Sequence, residues 1–569
     1  MSFTEFLQTT FFKSKALKLY EKGEKKRLEG DLDAAIEFYT QSISEDPKFT
    51  FSYTGRGNTY SLMGRNEEAL DDYSKAIILS PDQPDLYHLR AVTYYHTDCI
   101  EKAIRDFNKV LELNPKETIV LYSLGIINTD LKEEETAIEY YTRALEIDPD
   151  YFDALKNRAD ILYKSGKIQE SIDDLSKAIM LRPDSSVLYL NRGNAKFALK
   201  QFPESIVDFG EALLLEPGIG VIYYNLGLSF YSMEEYSKAI DSFDKALAIS
   251  QEYKDIYYYR GNSKFNIGDS DGAMNDFTEA LRINQNNPLA LFARGNLQFN
   301  LGQDKKALED YNKLCALDNT NPLIFYNRGN ALYNLMDYEK AIVDYDFALQ
   351  LSPEYTDAFI NRGNAKYAIG ENVSAVEDYF SALNLDSENG VTHFNIGIAK
   401  FSLGEIEECT KYLEKAVELN TDFMEGYFML GYAKQNLSDF TGAVSAYSKV
   451  IELSIDNPIA YYNRAYAKED LGDSEGAVQD YSEAIRLKPD YFEAFKNRAR
   501  SYSKLKKQDE ATGDLLKAVE INPEYTAGYF ELGTLYINSD KKDKGIACLT
   551  KAKELGSRKA EELLKSLNL

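Results

Sequence analysis

The stretch Leu323-Ile-Phe-Tyr-Asn-Arg-Gly-Asn330-Ala-Leu-Tyr333, followed by Ala341-Ile-Val-Asp344-Tyr345 and Ala348 and closed by Pro353, decides the fold. The same pattern returns 34 residues to either side. Self-similarity at a fixed period is the mark of a repeat architecture. Counting from Ala16, sixteen repeats of 34 residues fit without a break, the last starting at Thr526, and 25 of the 569 residues lie outside them. Position 8 is Gly or Ala in every repeat, from Gly23 and Gly57 to Ala499 and Gly533. Position 20 is small throughout, from Ala35 and Ala69 to Ala511 and Gly545. Position 24 is aromatic or Leu, as in Tyr73, Phe107, Phe243 and Leu413, and position 27 is mostly Ala. Prolines 47, 81, 115, 149, 183, 217, 353, 489 and 523 close nine repeats at position 32.

This spacing has a helical cause. Positions 4, 7, 8 and 11 share one face of a first helix, and 17, 20, 24 and 27 share one face of a second. A Gly or polar pair near position 15, as at Gly64, Gly166, Gly302 and Gly370, breaks the chain between them. Small residues at 8 and 20 let the backbones approach, and the ring at 24 fills the groove beside them. A lone hairpin leaves an apolar face wet, so it needs its neighbours.

These positions resemble the tetratricopeptide repeat (TPR) family, whose pattern has an aromatic at 4, Leu at 7, Gly at 8, Tyr at 11, Ala at 20, an aromatic at 24, Ala at 27 and Pro at 32. The chain departs from it in lacking Trp, in often carrying Arg at 7, and in shifting an aromatic from 11 to 12. The resemblance spans residues 16–559. It implies an all-α, right-handed α-solenoid of about sixteen helix-turn-helix repeats, with a concave groove lined by first helices. Residues 1–15, with Phe3, Phe6, Leu7, Phe11 and Phe12, are expected to pack on the first repeat, a partner-binding tail being the alternative. Lys22, Lys26 and Arg27 suggest a polar outer cap, and residues 559–569 an amphipathic helix that solvates the last hairpin.

Two positions vary together. Arg holds position 7 in ten repeats (Arg56, Arg90, Arg158, Arg192, Arg260, Arg294, Arg328, Arg362, Arg464 and Arg498). Asp holds position 23 in the same ten (Asp72, Asp106, Asp174, Asp208, Asp276, Asp310, Asp344, Asp378, Asp480 and Asp514), and the other six repeats lack both. Across an antiparallel hairpin, 23 lies within reach of an arginine at 7, which predicts a charge-assisted structural bond between the two helices. Passive duplication of one ancestral repeat would also make the two co-occur.

Positions 2, 5, 6, 9, 12 and 13 point away from the hairpin partner. Asn recurs at 6 (Asn157, Asn191, Asn225, Asn327, Asn361, Asn395, Asn463 and Asn497) and at 9 (Asn58, Asn194, Asn262, Asn296, Asn330 and Asn364). Rings accompany them at 5, including Tyr258 and Tyr326, and at 12, including Tyr333, Tyr367 and Phe401. Asn is a middling helix former, so helix propensity does not explain its recurrence. Its amide offers a donor and an acceptor that match a peptide bond whatever side chain that bond carries. These amides are therefore expected to stand free and grip an extended backbone, while the rings take its side chains. The arrangement is similar to the asparagine ladder in the TPR superhelix of O-linked GlcNAc transferase. Amides that instead bond one another between repeats are the structural alternative. A clamp for chaperone C-termini is incomplete: Lys156 and Lys496 hold position 5, but Asp160 and Arg500 follow at 9.

The formal net charge of −27 disfavours nucleic acid, and 44% hydrophobic with 28% charged residues argues for a soluble, ordered chain. No run suggests a signal peptide, and none approaches a membrane span. Cys99, Cys315, Cys409 and Cys548 lack metal or redox spacing, and reduced thiols fit a cytoplasmic protein. His88, His96 and His393 form no ligand set, and no phosphate loop or nucleophile elbow is present. The expectation is a non-enzymatic scaffold without metal or cofactor that binds proteins or peptides, with no small-molecule substrate evident. A self-assembling solenoid and a targeting subunit of a separate enzyme are the competing classes.

Overall fold

The structure is a computed structural model that describes residues 15–567. The described residues form 33 α-helices. They divide into two compact units, one up to Ile283 and the other from Asn284 on. No helix among the described residues is long and apolar enough to cross a membrane. The expected packing of residues 1–15 on the first repeat falls almost wholly outside the described residues, apart from Lys15.

Helix starts follow the repeat. In the tenth repeat the first helix is Pro322–Asn334 and the second Tyr338–Leu351; in the eleventh they are Thr356–Ala368 and Asn372–Leu385. Proline at the first helical turn gives up no intrahelical bond, and Asn321 caps the same helix by accepting from the Leu323 N–H. The eighth repeat is the exception, its first helix starting late at Ile256. Position 15 adopts positive φ in all sixteen repeats, at Gly302 (φ 69°) and equally at Met336 (φ 62°). Glycine is therefore favoured but not required there, because the short interhelical turn fixes the left-handed residue.

Within each unit every helix packs on the helix before and after it, and first helices also touch the next first helix. Ala341 and Ala348 are fully buried, and Tyr345 is 1% exposed between them. A Cβ placed on Gly329 would lie 2.7 Å from the Tyr345 ring, so the small residue at 8 is where the ring at 24 sits against the first helix. Cys409 takes the alanine position at 20, fully buried, and all four cysteines are unpaired. The last helix, Arg558–Ser566, buries Ala560 and Leu564 against the final hairpin.

In all ten repeats carrying the pair, Arg Nε donates to Asp Oδ2 and Nη2 donates to Oδ1, at 2.5–2.9 Å. The aspartates are buried and the arginines about one-fifth exposed or less. The third arm reaches backwards. Nη1 donates to position 25 of the preceding repeat: Thr40 from Arg56, Ser74 from Arg90, Asn312 from Arg328 and Asp346 from Arg362. In these four repeats the arginine thus ties its own hairpin shut and links it to the one before. Burial raises the Asp344 carboxyl above its ordinary range, and the Arg328 bonds work against that rise. Desolvation therefore offsets much of what the pair gains.

Replacing Asp344 by Ala leaves the Arg328 guanidinium uncompensated and is expected to cost about 3–5 kcal/mol. The double variant Arg328→Leu/Asp344→Leu should melt above Asp344→Ala in thermal denaturation of the full chain. The reverse order would exclude a desolvated pair.

Candidate functional site

The first-helix residues that point away from the hairpin partner meet the first helix of the next repeat, and there the amides find one another. Asn327 Nδ2 donates to Asn296 Oδ1 (3.0 Å), Asn361 to Asn330 (2.9 Å) and Asn395 to Asn364 (3.0 Å). The same three acceptors each take a second bond, from the buried hydroxyl at position 24 of their own repeat: Tyr311 to Asn296, Tyr345 to Asn330 and Tyr379 to Asn364, at 2.7–2.9 Å. Three successive joints of the second unit therefore share one Tyr–Asn–Asn chain. In the first unit Asn225 donates to Asn194 at 2.8 Å, without a hydroxyl because position 24 is Phe209. Tyr73 donates to Asn58 in the same manner.

These bonds correct the expectation that the amides stand free. The physical reason is the adjacency of first helices: position 6 of one repeat lies beside position 9 of the repeat before. Asn157 and Asn497 are also engaged, donating to the Tyr122 and Tyr462 hydroxyls at 3.2 and 3.0 Å. Asn361 reaches Tyr326 as well, at 3.1 Å. Asn191, Asn262 and Asn463 are half-buried on the same face.

Rings at position 5 are structural too. Tyr326 lies 4.7 Å from Tyr355 and 6.1 Å from Tyr345, and Tyr122–Tyr151, Tyr224–Tyr253, Phe394–Phe423 and Tyr462–Tyr491 repeat the pairing with position 34 at 4.8–5.1 Å. Tyr258 rests edge-on against Tyr259. Rings at position 12 reach the surface instead. Tyr163 and Phe265 are about 40% exposed, Tyr333 leans on Tyr338, Tyr367 shares a hydrogen bond with Ser402, and Phe401 lies 5.5 Å from Tyr432.

Two cavities open between such rings and the amides, in equivalent places. In the first unit Asp160, Tyr163, Lys164, Leu175, Asn191 and Asn194 line about 220 Å³. In the second, Phe299, Asn330, Tyr333, Asn334, Tyr345 and Asn361 line about 210 Å³. Both are bounded by positions 9, 12, 13 and 24 of one repeat and position 6 of the next. Asn361 keeps bonding capacity after its inter-repeat bond, since both of its bonds leave from the nitrogen and its oxygen is still an acceptor.

Sequence reasoning missed three contacts that fixed spacing could have flagged. The backward acceptor lies sixteen residues before each arginine, mirroring the Asp sixteen after it. Tyr at 24 with Asn at 9 are fifteen apart, and rings at 5 and 34 are 29 apart. Tyr481 shows the converse. Its repeat has Tyr466 at position 9, and its buried hydroxyl finds no partner among the described residues.

Tetratricopeptide repeat profiles match at 84–117, 119–151, 140–173, 221–253, 322–355, 392–423, 428–492, 462–528 and 527–555, and TPR repeat profiles at 57–98 and 295–335. Together they cover more than half of the chain. No curated protein matches. Among solved structures, YrrB, described as a TPR protein with an unusual peptide-binding site, is 26% identical over 32% of this chain and 95% of its own, with a TM-score of 0.30. The C-terminal part of a TPR repeat-containing protein from Cytophaga hutchinsonii is 17% identical over 48% and 98%, with a TM-score of 0.34. A chain of the Naa15/Naa10 complex bound to HypK-THB is 13% identical over 97% and 96%, with a TM-score of 0.35.

Asn330→Ala removes the acceptor shared by Tyr345 and Asn361 and is expected to destabilise by about 1–3 kcal/mol through the orphaned buried hydroxyl. Combining it with Tyr345→Phe should recover part of that loss in a double-mutant cycle, and strict additivity would refute the shared bond. Burial also raises the phenols of Tyr73, Tyr311, Tyr345 and Tyr379 above the ordinary value near 10. A phenol whose folded pKa exceeds its unfolded one contributes stability that is intact below about pH 10 and falls as pH rises further. Absorbance of these phenolates should appear only as helical circular dichroism is lost. Their titration in a chain that keeps its helicity would contradict the burial.

Proposed function

The chain belongs to the tetratricopeptide repeat family, and from that premise we propose that it is a protein-interaction scaffold whose first-helix face takes extended segments of other proteins. The observation that carries this reading is the recurrence of the amide-and-ring cavity at the same repeat positions in both units. A lone surface dimple has no reason to recur at one register. These two share positions 9, 12, 13 and 24 of one repeat and position 6 of the next.

On this reading the ladder has two roles. One edge of each amide fixes the spacing of the joints, and its remaining N–H or lone pair offers a bond to a passing backbone. Each such bond contributes only about 0.5–1.5 kcal/mol, so affinity comes from several in register. Side chains of the guest enter beside Tyr163 or between Phe299 and Tyr333. Preformed joints lower the ordering cost of binding on the scaffold side. The reading assigns binding, not catalysis, to the chain, and the net charge of −27 favours guests that are neutral or basic.

A photoreactive residue at Tyr333, used with a displayed library of random peptides, tests the reading. Captured peptides should crosslink at Tyr333, and Phe299→Ala should reduce their affinity about tenfold while leaving the melting temperature nearly unchanged. Peptides captured only through second helices would overturn it.

A further inference from the structure

After its third successive Tyr–Asn–Asn joint the second unit changes chemistry. The next step of the ladder, at the same spacing of 31 residues, pairs Ile398 with Met429, and position 24 is Leu413 in place of Tyr. All three polar members are exchanged for aliphatic ones together. The buried phenol disappears along with the amide that would have satisfied it, so the joint contains no orphaned hydroxyl of the kind seen at Tyr481. Leu413 and Met429 join an apolar cluster with Cys409, Leu430, Phe394 and Phe401.

The exchange leaves space. Phe394, Ile398, Met424, Phe428, Met429 and buried Val450 wall a cavity of about 420 Å³ beside the joint. A dry cavity of about 150 Å³ already holds benzene. Two walls are methionines, whose unbranched thioethers adapt to differently shaped guests. Glu425 stands on the rim, exposed and without an ion-pair partner among the described residues.

We infer that this cavity is the anchor pocket of the binding face, taking a Leu, Met or Phe side chain from an extended guest segment that carries Lys or Arg beside that residue. The inference rests on the proposed use of the first-helix face and adds sequence selectivity to it. The amide joints before the pocket offer bonds to any backbone, whereas the aliphatic joint discriminates by burying apolar surface. A fully buried Leu or Phe contributes about 1.5–3 kcal/mol, which one amide bond does not match. The basic neighbour follows from charge: Glu425 is the charged group lining the pocket, and it sits in a chain of net charge −27.

Selection of a displayed random peptide library on the full chain tests the inference, followed by fluorescence anisotropy of synthesised winners. The winners are expected to share Leu, Met or Phe next to Lys or Arg, and replacing that anchor by Ala should weaken binding at least about tenfold. Ile398→Asn/Met429→Asn restores the amide pair and should abolish the apolar preference. Ile398→Phe fills the cavity with apolar surface, retains the melting temperature and should cause the same loss, and Glu425→Lys should disfavour the basic neighbour. Winners without an anchor, or winners indifferent to both Ile398 variants, overturn the pocket. If such winners still depend on Phe299 and Tyr333, the binding face itself survives; if the library yields no winners at all, both fall.

Discussion

A joint between two helical hairpins is largely closed to water, so any polar atom placed there must find its partner across the joint. That constraint shapes the chain more than any single contact. The arginine at position 7 meets it with three arms, two on the aspartate of its own hairpin and one on the repeat before. The tyrosine at 24 meets it by donating to the asparagine at 9, which also accepts from the asparagine at 6 of the next repeat. At Leu413, Ile398 and Met429 all three members of the set are replaced together. A half-replaced set leaves a buried group unpaired, which costs more than removing the whole set.

On the proposed function, the same constraint separates affinity from selectivity along the first-helix face. On the proposed reading, joints closed by amides offer their leftover donors and acceptors to any peptide backbone. The joint closed by aliphatic side chains presents none and leaves an apolar cavity. On that reading the four Asn–Asn joints supply the first kind of contact, and the departure at Ile398 and Met429 supplies the second. In a chain built from near-identical modules, the departures are where discrimination between partners can reside.

Much of the fold was legible in the chain. The 34-residue period, the small residues at 8 and 20 and the ring at 24 determined two-helix modules, because close helix approach needs small side chains at fixed offsets. The co-occurrence of Arg328 with Asp344, and of nine equivalent pairs, pointed to a bond within the hairpin, since a pair retained or lost together usually shares a contact. The left-handed residue at position 15 was only half visible, because Met336 takes the conformation that Gly302 takes more cheaply.

The candidate site was legible in composition and not in direction. Helical periodicity placed Asn327, Asn330 and Tyr326 on one face of the first helix, and that much the sequence by itself determined. Periodicity is a property of one helix, and it cannot say whether a face meets solvent or the flank of the next module. Tertiary structure decided that Asn327 turns to Asn296, that Tyr326 is held against Tyr355, and that Tyr163 and Phe265 stay at the surface. The reason is spatial: successive first helices lie side by side, so a residue's partner is set by the stacking of modules and not by its own place in the chain.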